Sequence, residues 1–318
     1  MALVTALVCT RNRPGMIGRA VRSLLASEGV DLELIVVDQS DGRETELGLA
    51  AIGDPRLRVV RSAARGKGAA LNHGLQLARG EVLVCTDDDC EAPPSWVASM
   101  AGLLEARPTT AVVFCSVAAG PHDAGQGYVP VYACRRSRLV RSLSGRCAPL
   151  GMGAGMALRR DVAVALGGFD ESIGPGAFFP SGDDWDIAVR SLIRGWHVYE
   201  AAEVGIIHHG FRAFAQGREH QRRDWLGIGA VCTKAVRAGS WGTLALPLSL
   251  FFRFALWPPI RDALHLKRPR GATRIVAFVQ GAVRALRTPI DPKTLWFAPL
   301  AAAPEGGLTP APEAGSTP

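Results

Sequence analysis

Apolar positions in the N-terminal part of the chain fall in short unbroken runs rather than in alternation. Residues 3–8, 34–37, 57–60 and 82–85 are each apolar and rich in β-branched side chains, the pattern of strands covered on both faces. Two of the intervening segments carry helical spacing instead. Ile17, Val21, Leu24 and Leu25 fall at i, i+4, i+7 and i+8 behind Pro14, a residue suited to a first helical turn. Leu71, Leu75 and Ala78 continue the theme behind Gly66 and Gly68. Strand and helix thus alternate, which predicts an α/β fold with a doubly wound, largely parallel sheet.

Further along, Ala111 to Ser116 predicts another strand, followed by a Gly- and Pro-rich connection around Gly120 to Pro130. Gly151-Met152-Gly153-Ala154-Gly155 predicts a tight loop ahead of a helix containing Val162, Ala165 and Leu166. After Gly182, Ile187, Leu192 and Ile193 mark a helix supported by Asp186 and Arg190 at i, i+4. A strand through Val204, Ile206 and His208 closes the globular part.

Beyond about residue 220 the character changes to aromatic-rich, basic helices. Thr243 to Trp257 is apolar except for Arg253 and is broken by Pro247, so it falls short of the ~20 residues that span a bilayer. Phe251, Phe252, Phe254 and Trp257 stand beside Arg253, Arg261, Lys267, Arg268 and Arg270. That mixture favours an interfacial amphipathic segment over a helical layer packed on the domain, with nearly even weight on each. From Pro299 onward large apolar groups are too few to fold, which predicts a flexible tail. The expected organisation is a domain over 1–220, with halves 1–116 and 117–220, then helices over 221–298 and a disordered tail over 299–318.

Composition narrows the class. With 318 residues, 48% hydrophobic and 20% charged, the chain can bury a sizeable core, as an ordinary soluble enzyme does. A formal charge of +7 favours anionic partners. The basic residues gather in Arg212 to Arg223 and Arg261 to Arg274, flanking the most hydrophobic C-terminal part, which points to an anionic membrane surface. They are not interleaved with aromatics in a nucleic-acid-binding pattern. The seven cysteines are odd in number and form no C-x-x-C pair, as expected of reduced thiols in a cytoplasmic protein. Met1 to Val8 lacks a basic flank and a cleavage site, so it reads as a first strand rather than a signal peptide.

The candidate chemistry lies at strand ends, where ligands gather in open α/β sheets. Val82-Leu83-Val84-Cys85 delivers Asp87, Asp88 and Asp89 to one such end. Three adjacent carboxylates repel, and a hard divalent cation, Mg²⁺ or Mn²⁺, would offset them. A solvated acidic turn, set by Pro93 and Pro94, is the plainer alternative. The first strand opens into Thr10-Arg11-Asn12-Arg13-Pro14 without the glycine-rich turn of a dinucleotide fold, which argues against a dehydrogenase. The second ends at Asp38, able to accept a hydrogen bond from a base or ribose. In Arg65-Gly66-Lys67-Gly68, glycines permit close backbone approach, the lysine can meet phosphate, and a helix start favours an anion.

In order and spacing, Cys-Thr-Arg-Asn-Arg-Pro, Val-Val-Asp-Gln-Ser, Gly-Lys-Gly-Ala-Ala-Leu-Asn and Thr-Asp-Asp-Asp-Cys resemble the nucleotide-sugar half of family 2 glycosyltransferases. Gly153 to Arg160, Gly167-Gly168-Phe169-Asp170-Glu171 and Gly182-Asp183-Asp184-Trp185-Asp186 look like that family's acceptor loop and acidic base motif. The resemblance covers roughly residues 3 to 210. It implies the GT-A fold, Rossmann-like with a mostly parallel sheet between helices, and inverting transfer from a nucleoside diphosphate sugar to a hydroxyl acceptor. It assigns the donor to Thr10, Arg11, Arg13, Asp38, Gly66, Lys67, Asn72, Asp87 and Asp88. It assigns a divalent metal to Asp87, Asp89 and His208, and the acceptor to Gly155, Met156, Asp183 and Trp185. Asp183 is better explained as a helix cap, and Trp185 equally well as a packing residue.

Where the family more often has Glu-Asp, this chain has Asp183-Asp184, so the base role passes to Asp184, expected to be ionised at neutral pH. A sugar nucleotidylyltransferase would show a glycine-rich loop after the first strand, which is missing. A non-catalytic nucleotide-sugar- or lipid-binding module is the competing class, and the intact acidic cluster argues against it. A lipid-linked or polysaccharide acceptor, met at the inner face of the cell membrane, fits the basic C-terminal helices.

Overall fold

The computed structural model describes residues 3–143, 151–238, 248, 251–265 and 272–298. The expected tail over 299–318, Cys147, most of 243–250, and Lys267, Arg268 and Arg270 lie outside the described residues. The strands are β1 Val4–Thr10, β2 Leu32–Asp38, β3 Leu57–Arg61, β4 Val82–Asp87, β5 Cys90–Glu91, β6 Thr110–Ala119, β7 Gly127–Tyr128, β8 Arg138–Val140, β9 Met156–Arg159, β10 His197–His208 and β11 Arg212–Ala213. The helices are α1 Pro14–Leu25, α2 Glu44–Ala50, α3 Lys67–Leu77, α4 Trp96–Glu105, α5 Arg160–Ala165, α6 Asp183–Ile193 and α7 Gly217–Arg237, then α8 Trp257–Leu264 and α9 Ala272–Arg287. A π-helical segment, Phe251–Leu256, leads into α8.

One sheet organises the chain, with order β3-β2-β1-β4-β9-β6-β10-β5 and β8 also on β10. The first four strands are parallel, as their unbroken apolar runs predict. The expected doubly wound α/β arrangement is therefore present, with antiparallel departures at β5 and β8, both on β10, and at β9. β9 enters the middle of the sheet antiparallel to both β4 and β6, where the sequence pattern predicts only a loop running into a helix. Four residues, buried on both faces, carry too little periodicity to declare a strand.

The C-terminal helices also differ from expectation. Leu226, Ala230, Val231 and Ala235 of α7 and Ala277, Phe278 and Ala285 of α9 belong to the same core as Leu7, Phe114 and Ile187. Glycines bring the two helices together, since a Cβ on Gly229 would lie 2.2 Å from the Phe278 carbonyl oxygen and one on Gly281 2.0 Å from that of Leu226. The inner faces of α7 and α9 thus form a packed layer, and the core continues across the boundary expected at residue 220. No described helix is long and apolar enough to cross a membrane.

A buried ionic cluster ties this layer to α6. Lys234 Nζ of α7 donates to Asp170 Oδ2 at 2.5 Å and to Asp186 Oδ1 at 2.8 Å. Arg190 Nε donates to Asp186 Oδ2 at 2.7 Å, and all four side chains are 0 or 1% exposed. Phe297 N closes the cluster on Asp170 Oδ2 at 2.7 Å. Two cations and two anions neutralise one another, as burial of charge demands. The helix so fastened carries Asp183 and Asp184 in its first turn.

Candidate functional site

Asp87 ends β4 beside Cys9 of β1, and Thr10 ends β1 beside Asp38 of β2, so the acidic triplet sits at the carboxyl edge of the parallel strands. The chain's own cations offset it. Lys67 Nζ stands 2.5 Å from Asp87 Oδ1. Arg13 Nη1 reaches Asp88 Oδ1 at 3.0 Å and Asp89 Oδ2 at 3.2 Å. Asp88 also accepts the Thr10 hydroxyl at 2.6 Å and is buried. Burial holds its carboxyl above the usual range despite Thr10 and Arg13. Asp88 therefore anchors the turn, and Thr10 is spent on anchoring it.

Asp89 and His208 form the part of the cluster suited to a cation. Their Oδ1 and Nε2 are 3.1 Å apart, so the buried Asp89 Oδ1 lacks a hydrogen-bond donor while His208 is neutral and gains one when it is protonated. His208 Nδ1 lies 3.0 Å from the Pro130 carbonyl oxygen; a carbonyl only accepts, so Nδ1 carries the proton and Nε2 faces the carboxylate. Burial alone would lower the His208 pKa, but Asp89 raises it; burial would raise that of Asp89, but His208 and Arg13 lower it. A Cβ on Gly210 would stand 2.6 Å from both Asp89 Oδ2 and His208 Nε2, so glycine keeps this cradle open. Cys90 Sγ lies within 4.8 Å of these ligand atoms, but burial raises its thiol pKa and keeps it protonated. An oxygen and a nitrogen donor around an unfilled carboxylate lone pair fit a hard divalent ion.

Across the site, Asp184 Oδ2 accepts the Gly153 N–H at 2.6 Å and Oδ1 accepts its neighbour Trp185 N–H at 2.7 Å. Burial pushes Asp183 up to about 7, Lys67 opposing and Asp184 adding repulsion. Burial also raises Asp184, against Lys67 and the two backbone N–H groups. Desolvation thus outweighs the helix terminus at both carboxyls. With two N–H donors, Asp184 is the better anion, and the proton shared by the pair resides on Asp183. A rate that needs this pair ionised is expected to climb as pH rises through about 7, and a flat profile from pH 5.5 to 8.5 in an initial-rate assay would exclude it.

Several predicted site residues are placed elsewhere. Asn72 is buried and clasps the acceptor-half loop, donating to Phe169 O and Glu171 Oε1 and accepting from Phe169 N. The start of α3 is covered rather than open to phosphate: Lys67 N donates to Pro175 O at 3.0 Å, and Gly66 lies against Gly176. Met156 of β9 and Trp185 of α6 are both buried in the same core, so neither offers a face to an acceptor. Gly155 is likewise interior, its absent Cβ 2.5 Å from Cys115 Sγ. Arg11 is half-exposed, 3.9 Å from Asp41.

Beside Asp38 stands Gln39, to which the sequence pattern assigns no role. Gln39 Nε2 donates to Ala64 O at 2.6 Å and Gly66 O at 3.0 Å, closing one wall of a cavity of about 460 Å³ lined also by Ser40, Asp41, Arg61 and Arg65. Asp38, at the neighbouring strand end, spends Oδ1 on the Ser40 N–H at 2.8 Å, while its buried Oδ2 has no partner.

Comparison with known proteins places the chain among glycosyltransferases. Similar proteins include the succinoglycan biosynthesis protein ExoO of Rhizobium meliloti (strain 1021), 40% identical over 92 residues, 29% of this chain and 26% of that protein. The putative colanic acid biosynthesis glycosyl transferase WcaA of Escherichia coli (strain K12) is 29% identical over 96 residues, 29% of this chain and 34% of that protein. The matches therefore span about a quarter to a third of these relatives. In fold the chain is similar to the mannosyltransferase PcManGT from Pyrobaculum calidifontis, solved with GDP-Man and Mn²⁺, at TM-score 0.63 and 22% identity over 89% of this chain and 86% of that one. It is also similar to S. aureus TarS 1-349 in complex with UDP-GlcNAc, at TM-score 0.61 and 15% identity over 88% and 81%. Glycosyl transferase family 2 matches residues 5–164, half of the chain and every strand end described above from Thr10 to Asp89, and the protein is a glycosyltransferase of that family.

Proposed function

We propose that the chain transfers a sugar from a nucleoside diphosphate sugar to a hydroxyl acceptor with inversion, assisted by a divalent metal, in the synthesis of a glycan, polysaccharide or glycolipid at an anionic membrane surface. The observation that carries this reading is the pairing of two unlike carboxylate environments. Asp89 stands with His208 around an unfilled lone pair, and Asp184 is held by two N–H groups on the other side of Lys67. The fold relatives support a nucleotide-sugar donor and a metal, since one was solved with GDP-Man and Mn²⁺ and another with UDP-GlcNAc.

The unpaired Asp38 Oδ2 suits an N–H of the donor's base, beside the cavity bounded by Gln39 and Arg65. Asp87, Asp89 and His208 would hold the metal, which when bound neutralises charge on the departing diphosphate. Lys67 and Arg13 supply further positive charge at the same edge. Asp184 takes the acceptor's proton as its oxygen bonds to the anomeric carbon opposite the leaving group. Replacing Asp89 by Ala is expected to remove the metal-dependent part of donor affinity in titration calorimetry with Mn²⁺; affinity that stays metal-dependent would place the ion elsewhere.

A further inference from the structure

The C-terminal helix α9 is apolar on two sides. Its inner face packs on α7, while Val276, Val279, Val283 and Leu286, spaced i, i+3, i+7 and i+10, are 40 to 61% exposed. Helix α8 repeats the pattern with exposed Trp257, Ile260 and Leu264. Phe252 stacks on Trp257 with centroids 6.2 Å apart, and its neighbour Phe251 contacts Phe278 of α9 at 5.3 Å. The π-helical segment therefore links the exposed face of α8 to the packed side of α9. Single exposed apolar residues are ordinary, but two regular stripes on neighbouring helices form a patch that calls for a partner.

Charge selects among partners. Residues 251–298 contain nine Lys and Arg against two Asp. Arg284 and Arg287 lie beside the α9 stripe and are exposed. A second copy would bring like charges together, whereas an anionic lipid surface takes the apolar groups into its acyl boundary and pairs the cations with its headgroups. The patch also approaches the loop that covers the start of α3. Arg284 lies 5.8 Å from the ring centre of exposed Phe178, which follows Pro175, the residue whose carbonyl receives Lys67 N.

We infer that the outer face of α8 and α9 seats this protein on an anionic membrane, with the rim of the transfer site at the docked surface. The inference rests on the proposed function only for what the docking serves. The test is cosedimentation of the full chain with vesicles of phosphatidylglycerol and phosphatidylcholine, or phosphatidylcholine alone, for the wild type and for Val279→Glu, Val283→Glu and Leu286→Glu combined. The expected result is binding to the anionic vesicles that weakens with salt and falls about tenfold or more in the variant, with donor turnover in lipid-free solution equal in both proteins. No wild-type binding, or equal binding by both, overturns the inference. So does a lipid-free dimer that the variant abolishes, which would assign the patch to a second copy. Vesicle binding lost only in the variant, with no donor turnover in either protein, sustains the docking face and defeats the transfer reading.

Discussion

Asp184→Asn is expected to lower sugar transfer by about 10²- to 10⁴-fold, the usual worth of a positioned general base, and to leave donor affinity intact. Asparagine keeps the size of the side chain and an oxygen for the Gly153 N–H that Asp184 now accepts at 2.6 Å, so the loop stays in place while the proton acceptor and the bond from the Trp185 N–H are lost. Asp183→Asn supplies the internal comparison. Asp183 holds the shared proton, pushed up to about 7 by burial, so its replacement should cost less and should flatten the rise in rate near neutral pH. A larger loss from Asp183→Asn than from Asp184→Asn would exchange the two roles.

Lys234→Ala is expected to cost about 3–5 kcal/mol of stability, the range for removing one member of a buried ion pair. The side chain is 1% exposed and serves both Asp170 and Asp186, so truncation leaves Asp170 with no cation in the cluster and Asp186 with Arg190 alone. Lys234 also faces the Phe297 ring at 4.5 Å, and Phe297 N donates to the same Asp170 carboxylate. The loss should therefore loosen the C-terminal segment together with α6. Urea unfolding measures it directly, and Asp170→Asn in the Lys234→Ala background should recover part of the stability by removing the stranded charge. A loss below about 1 kcal/mol would indicate that water enters the cluster.

The two substitutions mark where sequence pattern succeeds and where it stops. Strands β1, β2 and β4 were legible because burial on both faces leaves an unbroken apolar run, and α1 because one buried face leaves a 3.6-residue period. The carboxylates at their ends were legible by position. Their partners were not, because Thr10 and Asp88 are 78 residues apart in the chain and Lys67 and Asp87 are 20 apart. A motif gives residue types but not which cation neutralises which anion. Arg13 and Lys67 take much of the offset that the triplet alone assigned to a metal. Asn72 shows the same limit, since its place in a donor motif conceals hydrogen bonds to a loop 97 residues away.

The C-terminal helices were half legible. Composition indicated basic, aromatic-rich helices beyond residue 220 but placed the interfacial segment at Thr243 to Trp257 rather than on α9, and it could not say that one apolar side packs on α7 while another stays exposed, because the period of a helix buried on a protein and of one resting on lipid is the same. The close approach at Gly229 and Gly281 is a helix-packing signal that sequence analysis could have used. β9 had no such signal.

The central claim, metal-assisted transfer from a nucleoside diphosphate sugar, is tested most directly by nucleoside diphosphate release from a panel of UDP-, dTDP- and GDP-sugars by the purified chain, with Mg²⁺, with Mn²⁺ and with chelator. The account predicts release from one donor of the panel, abolished by chelator and restored by added metal. Release that persists undiminished in chelator, or a chain that binds none of the donors, would contradict it.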